Sequence, residues 1–360
     1  MISVEQRKSY SSQLFVIFVI CSMFMTLLCS CNNAKESGNG DSGQEYDGVP
    51  LVILDTDIGS STDDLFTMVM AYDYHKKGRC KLLGVVVDRE GEDYAACADV
   101  MNTYYGFGDL PIALERNGVK NPPVFTDYRN LGRMVGDDGK PVYETLVRGY
   151  SDLPDGWELY RELLAEQPDH SVSICSLGFC TSLAQLLESK GDDLSPLTGV
   201  ELVRQKVKCL YIMGGIFTSS EEPDYNFLMG GNSAQSLFSL WPKDVDVVFS
   251  PMEVGNEIEY LKEAVLADLE QAENHPVKYV YEELYNVNGG QKMWDPLVLI
   301  QAVEGDDEFA LSPRGFVTLT PEAATIFKED ANGNSRYQKP GTKEWNTKIL
   351  DKIRKASRSI

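Results

Sequence analysis

The sequence predicts an α/β fold with a mainly parallel open sheet flanked by helices, a Rossmann-like core. One observation is a series of short apolar runs, rich in β-branched residues and without alternation, as in strands buried on both faces. Another is the helical spacing of apolar residues in the segments between most of these runs. Strands that alternate with helices in this way form parallel sheets. The predicted strands are residues 51–54, 82–87, 172–175, 209–213 and 245–249, and the predicted helices are residues 64–77, 94–105, 157–165, 181–187, 258–272 and 342–357.

Length and charge narrow the class of protein further. The chain has 360 residues and a net charge of −22, and its sequence shows neither an internal repeat nor a linker-like segment after residue 50. We therefore predict a single domain over residues 50–360. Nucleic acid is excluded as a partner, because its phosphates require a basic face.

The N-terminal residues predict export. Arg7 and Lys8 precede an apolar stretch, residues 14–28, which is shorter than the roughly 20 residues that span a bilayer. The following Leu28-Cys29-Ser30-Cys31 resembles a bacterial lipobox. Residues 1–30 are therefore predicted to be a lipoprotein signal peptide and Cys31 the lipidated residue, with a plain signal peptide or an anchor helix as the alternative.

Residues 31–49 contain almost no apolar side chains, which predicts a flexible tether. The expected location is beyond the inner membrane, in the periplasm or at the outer membrane, with the lipid as the only membrane contact.

Cysteine and histidine show no metal-binding or disulfide pattern. Beyond residue 31 the cysteines are odd in number and lack CxxC spacing, which predicts buried thiols: Cys80, Cys97, Cys175, Cys180 and Cys209. The three histidines are scattered away from every motif, which argues against zinc: His75, His170 and His275.

Polar residues and glycines follow the predicted strands. They include Asp55-Thr56-Asp57 after the first strand, Asp88-Arg89-Glu90 after the second, Ser176-Leu177-Gly178 after the third and Gly214-Gly215 after the fourth. Ligands of open parallel sheets bind at the carboxyl ends of the strands. We therefore expect these residues to converge on one rim that forms the site.

The segment "LDTDIGSSTDD", residues 54–64, places two acids at a strand end and two at the start of a helix. An acid such as Asp63 can simply cap a helix, because it accepts from free N–H groups and suits the helix dipole. That alternative does not explain the pair Asp55 and Asp57. Clustered carboxylates without histidine or cysteine favour a hard divalent cation, Ca²⁺ or Mg²⁺.

An apolar strand followed by DxD resembles the haloacid-dehalogenase phosphatases, in which Asp55 would be the nucleophile and Asp57 the acid. That pattern requires Thr or Val where this chain has Gly59, and a lysine after a later strand for which the sequence offers no convincing candidate. This reading is the weaker one.

Five separated segments, over roughly residues 50–330, resemble the nucleoside hydrolases in the same order. After the opening DTD and DD come "GVVVDREGEDYAACADVMNTYYGFGDLPIAL", "VSICSLGFCTSLAQLL", "LYIMGGIF" with "PDYNF", and "MWDPLVLIQAV". The resemblance implies a nucleoside hydrolase-like fold. It also implies hydrolysis of the N-glycosidic bond of ribonucleosides, with a bound Ca²⁺ that acidifies and orients the attacking water.

The resemblance further implies a set of metal ligands. Asp57 would be both a ligand and the base that activates the water. Asp64, Asp295 and the main-chain oxygen of Leu177 would complete the protein's share. Breaking the glycosidic bond gives an oxocarbenium-like sugar, whose positive charge nearby carboxylates stabilise.

Substrate contacts follow from the same resemblance. Asp63 would accept a ribose hydroxyl, Asp224 and Asn226 would hold the ribose from the other side, and Asp88 would lie near it. Two of these depart from the family pattern, since Asp88 stands where many members carry Asn and Asp224 where they carry Glu. The alternatives are that Asp88 only ends a strand and that Asp224 only caps a turn.

Two more departures concern the acidic segment and the leaving group. Two more residues stand between Asp57 and Asp63 than in the commonest members of the family. Ser60 and Ser61 replace the Asn and Asp of a related subgroup. Many members place a histidine before the late metal-binding Asp, but here that position is Trp294. An indole stacks on a base without protonating it, so Trp294, with Tyr225 as a second wall, favours purines.

The sequence thus predicts an enzyme that takes a small nucleoside or N-riboside. A catalytically silent lipoprotein that only binds ribosides is the alternative, and a homo-oligomer is left open. Residues 125–152 lack periodicity and are expected to form a loop over the site.

Overall fold

The computed structural model describes residues 48–286 and 289–359. The predicted signal peptide, Cys31 and nearly all of the tether lie outside the described residues. All described residues belong to one compact unit, Glu45–Ile360. Within them, no helix has the length and apolarity needed to cross a membrane.

The chain alternates strands and helices from residue 51 onward. The strands are β1 Leu51–Thr56, β2 Lys81–Val87, β3 Ile112–Leu114, β4 Val172–Ser176, β5 Val207–Met213, β6 Asp246–Ser250, β7 Glu259–Leu261, β8 Gly290–Lys292, β9 Gly315–Leu319, β10 Thr325–Glu329 and β11 Ser335–Tyr337. The helices are α1 Asp63–Lys76, α2 Glu92–Tyr104, α3 Gly156–Ala165, α4 Thr181–Glu188, α5 Gly199–Lys206, α6 Tyr225–Gly230, α7 Asn232–Leu240, α8 Met252–Gly255, α9 Lys262–Asp268, α10 Pro276–Tyr279, α11 Asp295–Glu304 and α12 Lys343–Ser357.

Nine of these strands form one sheet in the order β10-β9-β11-β6-β5-β4-β1-β2-β3. The strands from β11 to β3 pair in parallel with their neighbours, whereas β9 pairs antiparallel with both β10 and β11. The predicted fold class, a mainly parallel sheet flanked by helices, is therefore confirmed.

Both faces of the sheet carry a hydrophobic core. Val52 and Leu54 of β1 pack with α1, α2, α11 and α12 on one face. Leu51 and Ile53 pack with α3, α4, α5 and α7 on the other. Every residue of β1 is buried, which is why its sequence is apolar without alternation.

The predicted helix 258–272 is wrong at its start and its end. Glu259–Leu261 is a strand that pairs antiparallel with Gly290–Lys292, and the helix is only Lys262–Asp268. Tyr260 is buried while Leu261 is exposed, an alternation typical of a strand. The apolar residues of this stretch also fit helical spacing, so the sequence left the two states unresolved.

The other predicted features agree more closely with the structure. Helix α12 buries Ile349 and Ile353, as its spacing predicts. The five cysteines are buried free thiols. The loop of residues 125–152 contains two short 3-10 helices, Arg129–Arg133 and Tyr150–Asp152.

Candidate functional site

The predicted rim holds a cavity of about 150 Å³. It lies at the carboxyl ends of β1, β2, β4 and β5, where ligands of parallel sheets bind. Eight of the predicted site residues line it together with six for which the sequence predicted no individual role. The lining residues are Asp57, Ser60, Ser61, Asp63, Arg89, Phe125, Leu177, Met213, Asp224, Tyr225, Asn226, Met252, Trp294 and Asp295.

Three carboxylates, here called the cation cluster, lie together at the edge of this cavity, which is lined by two of them, Asp63 and Asp295, and not by Asp64. One oxygen each of Asp63, Asp64 and Asp295 lies within 4.8 Å of the others, and all three residues are buried. Burial raises the pKa of Asp63 to about 6. Burial, followed by repulsion from neighbouring carboxylates, raises the pKa of Asp64 and of Asp295 well above the usual range. Among the described residues no basic side chain forms an ion pair with the cluster, and a hard divalent cation would supply positive charge.

Asp63 connects the two helices that carry the cluster. Its Oδ2 accepts from the backbone N–H groups of Trp294 (3.2 Å) and Asp295 (3.3 Å), at the start of α11. Its Oδ1 accepts from the Ser61 hydroxyl at 2.5 Å. Asp63 therefore does cap a helix, as the alternative interpretation held, but that helix is α11 and not its own.

Asp64 is the member of the cluster with an unused oxygen. Its Oδ1 accepts from the Thr56 hydroxyl at 2.5 Å, whereas its Oδ2 is buried without a hydrogen-bond partner among the described residues. A buried polar atom without a partner is costly. This unpaired oxygen fits a cation at the cluster.

Asp57 borders the cavity, but its carboxylate is already held by Arg89. The guanidinium Nη2 lies 2.7 Å from Asp57 Oδ2, and Nε donates to the Asp57 backbone oxygen at 2.5 Å. Arg89 is only 1% exposed, and its guanidinium carbon lies 5.2 Å from the ring centre of Phe179 and 5.6 Å from that of Tyr94. The sequence predicted no role for Arg89. The available signal was a basic residue at a strand end within an otherwise acidic rim.

Asp88, predicted to lie near the ribose, is buried beside Asp55 and close to Asp57, but it is not among the residues that line the cavity. Tyr160 donates to Asp55 Oδ2 at 2.6 Å. Burial raises the pKa of Asp55 to about 6 and that of Asp88, which also faces the Asp55 charge, well above the usual range. A proton shared between two such carboxyl groups would relieve their repulsion. We call Asp55 and Asp88 the buried pair.

The position of Asp55 in the buried pair argues against the phosphatase alternative. The phosphatase alternative needs Asp55 as a nucleophile, but this side chain is fully buried and points to Tyr160. Gly178 explains how the chain passes so close, because a Cβ at this position would lie 2.8 Å from Asp88 Oδ1 and would also collide with Asp57.

The opposite wall of the cavity comes from α6. Asp224 is the N-cap of this helix, and its Oδ1 accepts from the N–H groups of Asn226 (3.0 Å) and Phe227 (3.2 Å). Burial raises the pKa of Asp224 to about 6. The Asn226 amide donates to the main-chain oxygen of Leu177 at 2.8 Å. Asp224 thus caps a helix and borders the cavity at the same time.

Aromatic side chains surround the mouth of the cavity. The Tyr225 hydroxyl donates to the Pro123 oxygen at 3.0 Å, and the Tyr225 ring centre lies 6.0 Å from that of Phe125. The Trp294 indole donates to Asn256 Oδ1 at 2.9 Å. Phe125 is 69% exposed and belongs to the loop predicted to lie over the site. Apart from its place in that loop, no feature of the sequence predicted that Phe125 would line the cavity.

Ser60 and Ser61, in the lengthened acidic segment, anchor that loop. The Phe125 N–H donates to the Ser60 hydroxyl at 2.9 Å, and the Tyr128 hydroxyl donates to the backbone oxygen of Ser61 at 2.5 Å. Gly59 permits the turn, with a φ of 113° that L side chains rarely adopt. The extra residues therefore fix one wall of the cavity.

A fold and a site of this kind invite comparison with known proteins. The family model of the inosine-uridine preferring nucleoside hydrolases matches residues 52–356. The chain belongs to this family, which confirms that part of the sequence interpretation. No protein of curated function matches the sequence.

Solved structures show the same fold. A plant nucleoside hydrolase, PpNRh1, is 15% identical with a TM-score of 0.65, covering 87% of this chain and 100% of its own. The inosine-uridine preferring nucleoside hydrolase from Bacillus anthracis is 13% identical with a TM-score of 0.62, covering 86% and 100%. The purine-preferring ribonucleoside hydrolase from Gardnerella vaginalis is 14% identical, also with a TM-score of 0.62, covering 86% and 100%.

Proposed function

We propose that the protein hydrolyses the N-glycosidic bond of ribonucleosides or related N-ribosides, with a preference for purines and with Ca²⁺ as its cofactor. Family membership and fold support ribonucleoside hydrolysis in general. The observation that carries the proposal is the common cavity, which is lined by Asp57, by carboxylates of the cation cluster and by aromatic side chains. Such a cavity combines a base, negative charge and a surface for a flat leaving group.

The carboxylates suit the charge that develops in the reaction. As the C–N bond breaks, the sugar becomes oxocarbenium-like. Asp57, at the edge of the cavity, is the candidate base that takes a proton from the attacking water. Asp224 and Asn226 lie on the opposite wall, where they can hold the sugar hydroxyls, because both reach the cavity from the rigid start of α6.

The donor set fits a hard divalent cation. Asp64 and Asp295 would hold it, with the unpaired Asp64 Oδ2 as the clearest ligand. Leu177, whose main-chain oxygen accepts from the Asn226 amide, lines the same cavity. The resemblance adds Asp57, whose carboxylate is paired with Arg89 in the structure. When bound, a cation of this kind acidifies water and neutralises clustered carboxylates.

The preference for purines rests on the side chains at the mouth. None of the three histidines is among the residues that line the cavity, and His275 is buried against Tyr105. Trp294 and Tyr225 supply ring surfaces instead, and a purine can take a proton at its own ring nitrogen as it leaves. The purine-preferring ribonucleoside hydrolase named among the similar structures is consistent with this proposal.

A catalytically silent riboside-binding protein is the second candidate, favoured by the Arg89–Asp57 ion pair, which occupies the candidate base. Incubation of purified protein with a panel of nucleosides in Ca²⁺, with chromatography of the released bases, distinguishes the two. Our proposal expects free base and ribose in stoichiometric amounts. Binding measured by calorimetry without base release would establish the silent protein.

We also propose that the chain is exported and lipid-anchored through Cys31, at the periplasm or the outer membrane. The lipobox-like residues Leu28-Cys29-Ser30-Cys31 support this. Labelling of cells with a palmitate analogue should mark the wild-type protein and leave Cys31→Ser unmarked. Equal labelling of the two proteins would reject the anchor.

A further inference from the structure

The indole of Trp294 is held by the short helix α8, Met252–Gly255, and by the residue that follows it. Its Nε1–H donates to Asn256 Oδ1 at 2.9 Å. A Cβ at Gly255 would lie 2.7 Å from Trp294 Cα and 2.8 Å from its Cγ, and closer still to Cδ1, so the ring lies against the bare backbone of this glycine. The pyrrole edge of the indole, with the adjacent atoms Cδ1 and Nε1, therefore faces α8.

Helix α8 is a fixed support, because it is bonded to the loop after β5. The Met252 N–H donates to the Gly215 oxygen at 3.1 Å, and Glu253 Oε1 accepts from the Phe217 N–H at 2.9 Å. Trp294 itself is the N-cap residue of α11. The indole is thus held between two segments that the fold already keeps in place.

This anchoring decides what the indole can offer to a ligand. Trp294 is half-buried and lines the cavity. An indole has one donor and no acceptor, and here Asn256 takes that donor. The ring can therefore recognise a base by its flat surface and not by a hydrogen bond. Because an anchored side chain has already lost its rotational freedom, a base that stacks on it does not have to order it first.

We propose that Asn256 is a positioning residue which, with the close approach at Gly255, fixes the Trp294 indole as a preformed wall for a flat bicyclic base. The inference rests on the proposed function in taking purine ribosides as the ligands. Asn256 is exposed and is not among the residues that line the cavity, so it acts through the indole. A purely structural Asn256 would change stability, or would affect all substrates alike.

Substrate kinetics of the full chain test the role of Asn256. Asn256→Leu keeps the size and removes the acceptor, so KM for inosine should rise about three- to tenfold while kcat changes by less than about twofold. KM for p-nitrophenyl riboside should change by less than about twofold, because a single ring covers less of the indole. Asn256→Asp retains an acceptor oxygen and should stay within about twofold of wild type for both substrates.

The indole N–H reports the anchor without any turnover. With ¹⁵N in the indole nitrogens, the four tryptophans give four NMR signals, and the signal that is missing in Trp294→Phe belongs to Trp294. This signal should shift in Asn256→Leu, because the hydrogen bond is lost. The signal of Trp241, which donates to the Val245 oxygen, should stay in place.

A second variant and two matched controls complete the design. Gly255→Ala keeps the acceptor but places a methyl group against the ring, so it should also raise KM for inosine about threefold or more. Gly230→Ala is its control, because a Cβ there would have its nearest neighbour at 3.5 Å. Asn332→Leu is the control for Asn256, since Asn332 is also exposed and in a turn. Both controls should leave KM for inosine within about twofold of wild type.

An unshifted Trp294 signal in Asn256→Leu would overturn the inference. Equal losses for inosine and p-nitrophenyl riboside would do the same, as would an Asn256→Asp variant that loses as much as Asn256→Leu. If the wild-type protein releases no base, the proposed hydrolysis fails, and the inference is judged by the Kd of inosine from calorimetry. That Kd should rise about three- to tenfold in Asn256→Leu, and an unchanged value would overturn the inference.

Discussion

The cation cluster and the buried pair are two groups of carboxylates that lie close to Asp57 and differ in their access to the cavity. In the buried pair, Tyr160 donates to Asp55 Oδ2, Asp55 Oδ1 and both oxygens of Asp88 are buried without a hydrogen-bond partner among the described residues, and neither residue lines the cavity. In the cation cluster, Asp64 keeps an oxygen without a partner, and Asp63 and Asp295 border the cavity.

This difference shows that burial and a raised pKa do not by themselves identify a functional acid. Both groups have raised pKa values, with burial as the largest cause. Only the cluster combines them with a place in the lining of the cavity, through Asp63 and Asp295. A proton shared between the two carboxyl groups would relieve the buried pair, and a cation would relieve the cluster.

The largest expected effect concerns the cavity, where Trp294 stands at the position at which many nucleoside hydrolases carry a histidine that acts as an acid. Loss of a general acid typically costs about 10²–10⁴-fold for a poor leaving group. We expect kcat/KM to fall in the order p-nitrophenyl riboside, purine nucleosides, uridine, and Trp294→Ala to reduce the purine values most. Uridine cleaved as fast as the nitrophenyl riboside would reveal an acid that the structure does not suggest.

Calcium should distinguish the two groups of carboxylates directly. At a concentration of Ca²⁺ about a hundredfold above its Kd, binding stabilises the native state by about 2.7 kcal/mol. Thermal unfolding should show this shift in the wild type and in Asp55→Asn, which alters only the buried pair. Asp64→Asn should lose it. A shift that survives in Asp64→Asn would place the cation elsewhere.

The stability of the metal-free protein should depend on pH. Because the pKa values of Asp63, Asp64 and Asp295 are raised in the folded state, the native chain binds more protons than the unfolded chain above about pH 4. Their contribution to stability therefore falls as pH rises through about 6, and the stabilisation by Ca²⁺ grows over the same window. Unfolding midpoints with and without CaCl₂ from about pH 5 to 7.5 measure this, and a calcium shift independent of pH would contradict it.

The smallest effect is expected in the buried pair. Asp88→Asn replaces a carboxyl whose pKa is raised by an amide of the same shape that can donate to Asp55, so kcat/KM should change by less than about threefold. Asp88→Leu is the control, since it cannot donate and should lower the unfolding midpoint. A large loss of activity in Asp88→Asn, with its fold intact, would move Asp88 into the substrate site.

Much of this organisation could be predicted from the sequence because it depends on periodicity and on the order of elements. Apolar runs without alternation gave the parallel strands, and the polar residues after them gave the rim. The strand Glu259–Leu261 was missed, since its few apolar residues fit a helix equally well and only pairing with Gly290–Lys292 decides between them.

The site was less predictable, because hydrogen-bond partners distant in sequence leave no local pattern. Arg89 follows Asp88 directly, yet only the fold brings it to Asp57, 32 positions earlier in the chain. Asp63 was read as a sugar contact or as a cap of its own helix, whereas it caps α11 more than 200 positions later. The identities of the acids were visible in the sequence, but not their partners.

The proposed hydrolysis depends most on Asp57 acting as the base at the edge of the cavity. The most direct test is the rate of base release from inosine by wild type and by Asp57→Asn, both in saturating Ca²⁺ and both shown to be folded by circular dichroism. Asn keeps the shape of Asp and loses the charge, so we expect the rate to fall by about 10³-fold or more. A near-normal rate in Asp57→Asn would show that another group activates the water and would contradict the account.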